Sequence, residues 1–214
     1  MKNKSCIVID YGLGNTFSVL NALKIIGVTP ILTSEPNLIK NADRVILPGV
    51  GAFGKAMEKL KKSGINEALF EYISKERPLL GICLGMQLLM DIGYEFGENK
   101  GLSLIPGKVE KINIYDTKSK KIRVPLIGWY KTFIHKNHFS YGKELAQEIS
   151  GNFFYYVHSY SVITENQENL LAYVTHSNNK ITSAICEKNV LGVQFHPERS
   201  GKYGLKLIQR FINL

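Results

Sequence analysis

The sequence predicts an α/β fold with a central, mostly parallel sheet flanked by helices and an additional antiparallel section. Three observations carry this reading. The first half alternates short apolar runs with amphipathic stretches, the pattern of strands joined by crossover helices. The second half is a succession of short alternating segments. At 214 residues, with 44% hydrophobic and 21% charged residues, the chain has the size and composition for one sizeable core.

Residues 6–11 form an apolar strand ending at Gly12, and residues 19–26 continue a helix whose Val19, Leu20, Leu23 and Ile26 share a face. A short strand over 30–33 is followed by a buried strand over 44–47, closed by Pro48. Residues 56–74 read as helical and 78–82 as a strand, with a helix from Leu84 following almost without a loop. Segments 109–114, 153–157, 170–174, 181–185 and 190–195 read as antiparallel or mixed strands, and 201–211 as a closing amphipathic helix. With no repeat, low-complexity tract or Pro/Gly/Ser linker, residues 1–214 read as one domain.

The net charge of +9 raises the question of nucleic acid, but the lysines are dispersed. The clusters at Lys59, Lys61 and Lys62 and at residues 118–123 read as solvated faces, or as a docking surface for an acidic protein. Nucleic acid is therefore not an expected partner. Cys6, Cys83 and Cys186 are too few for a disulfide framework and have no zinc-type spacing, so a reduced, cytoplasmic setting without metal is expected. No run of 18 apolar residues exists, so no membrane association is expected.

The most informative stretch runs from Pro78 to Gln87, where Gly81-Ile82-Cys83-Leu84-Gly85 places Gly-x-Cys-x-Gly between a strand and a helix. This is the cysteine version of a nucleophile elbow: a side chain on a sharp, strained turn forces neighbouring backbone into close approach, which residues without Cβ relieve. Amides at the start of the helix favour thiolate over thiol, which matters because a free thiol, with a pKa of about 8.5, is mostly protonated at neutral pH. Cys6 and Cys186, inside apolar strands, read as inert.

A thiolate needs a base, and the base needs a group that sets its tautomer. Five histidines compete: His135 and His138 lie in a polar stretch, His158 ends an aromatic strand, and His176 precedes Ser-Asn-Asn. His196 follows the apolar run 190–195, is rigidified by Pro197, and has Glu198 two residues on, placed to reach back to the distal imidazole nitrogen. Alone the tripeptide is weak evidence; joined to the elbow it defines a Cys83, His196, Glu198 triad.

These two motifs, Gly81-Ile82-Cys83-Leu84-Gly85-Met86-Gln87 and Gln194-Phe195-His196-Pro197-Glu198, resemble those of the class I glutamine amidotransferases. Within that family the chain is most similar to the glutaminase subunits of imidazole glycerol phosphate synthases. The residues that carry this are Asp10-Tyr11-Gly12-Leu13-Gly14-Asn15, Pro48-Gly49-Val50-Gly51-Ala52-Phe53, Gly128-Trp129 and Tyr155-Tyr156-Val157-His158-Ser159-Tyr160. The resemblance covers essentially the whole chain and implies the family's α/β fold and a glutaminase that needs no cofactor.

It further implies an oxyanion hole from the backbone at Val50, Gly51 and Leu84, and glutamine binding by Gly49, Gln87 and Glu95 with main-chain help from His158, Ser159 and Tyr160. The implied partner is a synthase (cyclase) subunit, a (β/α)8 barrel forming a heterodimer with this chain and receiving its ammonia. Asn15, Trp129, Tyr155 and Arg199 fall at positions the family uses near that interface, although each also reads as an ordinary packing or surface residue.

The chain departs from the family's Val-Pro-His-x-Gly-Trp-Asn stretch by carrying Leu126 and Tyr130. Losing a His and an Asn on the expected synthase side keeps an alternative partner in view, a sugar-modifying synthase of surface-polysaccharide biosynthesis. A cysteine peptidase and a non-catalytic scaffold subunit are the more distant alternatives.

Overall fold

Strands that are apolar on both faces must be covered from both sides, and this requirement organises the molecule, whose computed structural model describes residues 5–135 and 141–214. His138 lies outside the described residues. β1 (Cys6–Ile9), buried throughout, leads through α1 (Thr16–Ile25) to β2 (Pro30–Thr33) and α2 (Pro36–Asn41). β3 (Arg44–Gly49), again wholly buried, is followed by α3 (Phe53–Lys62) and α4 (Ile65–Ser74). The continuous helix expected over 56–74 is broken because Gly64 takes a left-handed conformation, φ 69°, which turns the chain between α3 and α4. β4 (Leu79–Cys83) runs directly into α5 (Leu84–Leu88), a helix of only 5 residues.

Beyond α5 come β5 (Ile92–Gly93), β6 (Asn99–Lys100), β7 (Gly107–Lys111) and β8 (Leu126–Ile134). α6 (Tyr141–Ile149), β9 (Phe153–His158), β10 (Tyr160–Thr164), β11 (Leu170–His176), β12 (Asn179–Glu187), β13 (Val190–Val193) and α7 (Gly201–Asn213) complete the order. The main sheet has nine strands in the order β2-β1-β3-β4-β13-β12-β11-β8-β9, and a smaller sheet has the order β10-β7-β5-β6.

The pairs from β2 to β13 are parallel and those from β13 to β9 antiparallel, so the expected parallel and antiparallel sections meet at β13. Successive strand residues point to opposite faces. Cys6, Val8, Ile46, Leu80, Ile82, Leu191 and Val193 enter one core, against Val19 and Leu23 of α1, Leu145 of α6 and Phe211 of α7. Their neighbours Ile7, Ile9, Val45, Leu47, Leu79 and Val190 enter the other, with Ile39 of α2, Phe53 and Leu60 of α3, Leu69 and Tyr72 of α4 and Val109 of the smaller sheet. Among the described residues, no helix is long and apolar enough to cross a membrane.

In β8, Leu126 is fully buried, and Tyr130 packs edge-on to Tyr156 and His176 with ring centroids 5.9 and 5.7 Å away. The two departures from the family pattern thus face inward. Ile127 and Trp129, alternating with them, are exposed.

Candidate active site

β4 ends where three parallel strands end together, Gly49 of β3 pairing with Cys83 on one side and Val193 of β13 with Ile82 on the other. The carboxyl edge of a parallel sheet is where open α/β folds place their ligands. Cys83 closes β4 at φ 55° and ψ −111°, a conformation that few residues with a side chain adopt, and it precedes the first residue of α5. The surrounding packing imposes the turn. A Cβ at Gly81 would lie 2.7 Å from the carbonyl oxygen of Gly85, and one at Gly85 would lie 1.8 Å from that of Leu47. Because a helix terminus acts on charge mainly through its first turn, the shortness of α5 leaves its amides able to face an anion.

β13 carries the chain onward to His196, whose Nδ1 donates to Oε1 of Glu198 at 2.8 Å across a single 3-10 turn, Pro197–Arg199. Both side chains are almost fully buried. Burial disfavours charge on the imidazole, but the Cys83 sulfur and the Glu198 carboxylate outweigh it and raise the His196 pKa to about 10. The Cys83 sulfur acts on this imidazole by side-chain hydrogen bonding first and by charge second. A thiolate paired with an imidazolium, the imidazolium held by a carboxylate, is what nucleophilic attack by sulfur requires.

A cavity of about 440 Å³ opens in front of Cys83. Val50, Gly51 and Leu84 line it beside the sulfur, and Gln87, Glu95, His158, Ser159, Tyr160 and His196 line the remainder, so most of the predicted site residues converge. Asn15 and Arg199 lie in the same wall, Asn15 also accepting from the Ser18 amide at 3.4 Å to start α1. Gly49, Glu198, Trp129 and Tyr155 are not part of the wall. Gly49 sits behind it, where a Cβ would come within 2.5 Å of the Tyr11 hydroxyl and 3.0 Å of the Gly85 nitrogen. Trp129 and Tyr155 pair across β8 and β9 with centroids 6.1 Å apart.

One oxygen of Glu95 accepts from the Phe53 amide at 2.8 Å, capping α3 from across the fold. His158 is buried and kept neutral: desolvation lowers its pKa to about 4, against the opposing hydrogen bond from Nδ1 to the Tyr160 carbonyl at 2.8 Å. Three further residues had no assigned role in the sequence reading. Tyr11 donates to the Pro48 carbonyl at 3.0 Å, bracing the end of the strand that leads to Val50 and Gly51. Ser200 supports the turn after His196, and Gln194 lies beside Cys83. The motif Asp10-Tyr11-Gly12 held the signal for the first and Gln194-Phe195-His196-Pro197-Glu198 for the third; the Ser200 contacts arise only from packing.

The chain is similar to known proteins along nearly its whole length. Residues 7–214 match the family described as "Glutamine amidotransferase class-I". The imidazole glycerol phosphate synthase subunit HisH 2 of Methanococcus maripaludis is 44% identical over 207 residues, covering 96% of this chain and 97% of that protein. The chloroplastic imidazole glycerol phosphate synthase hisHF of Arabidopsis thaliana is 41% identical over 207 residues, which are 96% of this chain but 33% of that longer protein. Among solved structures, PurLQS from Thermotoga maritima superposes with a TM-score of 0.71 at 18% identity, covering 98% of both chains, a likeness of fold. By sequence and fold together, this chain belongs to the class I glutamine amidotransferases.

Proposed function

We propose that the chain hydrolyses L-glutamine to glutamate and ammonia at Cys83 and passes the ammonia to the cyclase subunit of an imidazole glycerol phosphate synthase. The observation that carries this is the meeting of Cys83 on its strained turn with the buried His196 and Glu198 pair in a cavity of about 440 Å³. The Cys83 thiolate attacks the side-chain amide carbon, and the carbonyl electrons move onto oxygen, where the backbone at Leu84, Val50 and Gly51 stabilises the oxyanion. His196 gives its proton to the amide nitrogen as the carbon–nitrogen bond breaks and ammonia leaves. A water that loses its proton to His196 then opens the thioester, returning the thiolate and releasing glutamate. Gln87 and Glu95 suit the amino-acid end of the substrate, a carboxylate being a natural partner for ammonium.

Ammonia protonates in bulk water and stops being a nucleophile, so delivery calls for a partner seated over the cavity. The exposed apolar face of Ile127, Trp129, Phe153 and Val157 supports such docking, and Val157 also lines the cavity. The resemblance to the glutaminase subunits supports a (β/α)8 cyclase in a heterodimer, Asn15, Tyr155 and Arg199 lying at the contact. The inward placement of Leu126 and Tyr130 weighs against a sugar-modifying synthase, because these departures leave the exposed face unaltered.

In the reconstituted complex, Cys83→Ala is expected to abolish glutamine-dependent synthesis and leave synthesis from added ammonia intact. Equal loss of both would remove the ammonia-producing role.

A further inference from the structure

Gln194 is fully buried beside the proposed nucleophile and takes no part in the steps above. Its amide belongs to a chain of three hydrogen bonds whose direction is fixed at one end. The Tyr160 carbonyl, an acceptor only, receives Nε2 of Gln87 at 3.1 Å. That orients the Gln87 amide so that the same nitrogen also donates to Oε1 of Gln194 at 3.0 Å. With its oxygen turned to Gln87, Gln194 has its own nitrogen left to face the sulfur of Cys83, 3.7 Å away. Reversing the Gln194 amide would set nitrogen against nitrogen at Gln87 and oxygen against sulfur at Cys83. A main-chain carbonyl of the glutamine-binding wall therefore dictates that a donor points at the reactive sulfur.

We infer that Gln194 is a thiolate-holding residue: its side-chain amide, oriented through Gln87 by the Tyr160 carbonyl, donates to Cys83 Sγ and fixes the sulfur for attack. The inference rests on Cys83 being the nucleophile. A hydrogen bond to an ionised acceptor is stronger than one to a neutral group, so this amide favours the thiolate over the thiol. It acts again late in the reaction, when water adds to the thioester carbon, the carbon–sulfur bond breaks and the electron pair returns to sulfur. Gln87 thereby serves both the substrate cavity and, through Gln194, the sulfur.

The titratable groups seen to act on this sulfur are His196, after β13, and Tyr11 of β1. Both remain in place when Gln194 is replaced, so the contribution of the amide is separable. Gln194→Met keeps the volume and removes both hydrogen bonds. Gln194→Glu keeps an acceptor for Gln87 and turns a carboxylate oxygen toward the sulfur, and Gln194→Asn withdraws the donor by one methylene. Alkylation of Cys83 by iodoacetamide in the full chain is followed against pH by peptide mass spectrometry, with buried Cys6 and Cys186 as internal controls.

The midpoint is expected to rise by about one pH unit in the Met and Asn variants, with kcat/KM for glutamine about tenfold lower at neutral pH and recovering as pH is raised. The Glu variant should shift further, since an anion then faces the thiolate. An unmoved midpoint in those variants that fold would reduce Gln194 to a packing residue and overturn the inference. Glutaminase activity persisting in Cys83→Ala would instead remove the nucleophile reading itself, whatever the Gln194 variants do.

Discussion

The hydroxyl of Ser200 donates to the main-chain carbonyl of His196 at 2.6 Å and accepts from the Tyr155 amide at 3.0 Å, tying the turn that carries the imidazole to β9. The His196 amide donates back to the Tyr155 carbonyl at 2.9 Å, so the base is clamped to the strand bearing a residue of the proposed partner interface. Ser200→Ala is expected to leave buried polar groups unpaired, lowering stability by about 1–3 kcal/mol. Glutamate release should fall with kcat rather than KM, because the imidazole is misplaced while the substrate cavity is intact; urea unfolding and steady-state kinetics check the two parts.

Two buried histidines with opposite shifts contribute opposing limbs to the pH dependence of stability. His196 is raised from 6.5 to about 10 in the folded chain, so its contribution is complete below pH 6.5 and is lost as pH rises toward 10. His158 is lowered from 6.5 to about 4, so the native state keeps its full stability from this group above pH 6.5 and loses it as pH falls toward 4. Stability from this pair is therefore greatest near pH 6.5. Urea midpoints measured from pH 4 to 10 should show both limbs. His158→Gln should flatten the acid limb alone and Glu198→Gln weaken the alkaline one. An acid limb unchanged in His158→Gln would contradict the assignment.

Trp129 is 53% exposed on the face proposed to meet the synthase, and its indole packs edge-on against Tyr155. Trp129→Lys is expected to leave the thermal midpoint of the isolated chain within a degree or two while weakening association about 30-fold, the loss of an aromatic anchor of about 2 kcal/mol. Titration calorimetry with the cyclase measures the second quantity.

Features read from local pattern survive well. The buried strands of the parallel section, β1, β3, β4 and β13, lie where their apolar runs lie, because a strand covered on both faces has no alternation to be misread. Gly81, Cys83 and Gly85 identify the elbow because steric demand within five consecutive residues is a local matter. No strand is expected from the sequence over β8, and it is long-range pairing with β9 and β11 that makes it one. The short helix α2 likewise has a single local mark, Pro36 at its first turn. The bond from Gln194 to Cys83 spans 111 positions of sequence, and the Glu95 cap on Phe53 spans 42; neither has a periodic signature.

The order of strands in the main sheet also governs timing. β13 is among the last segments of the chain, yet it inserts between β4 and β12 and delivers His196 to a sulfur made 113 residues earlier (196 − 83). A ribosome-bound chain thus carries its cysteine long before His196 exists, and the proposed proton transfer at His196 has to wait until β13 pairs between β4 and β12. A chain cut short before β13 lacks His196 and, on the proposed chemistry, is expected to release no ammonia.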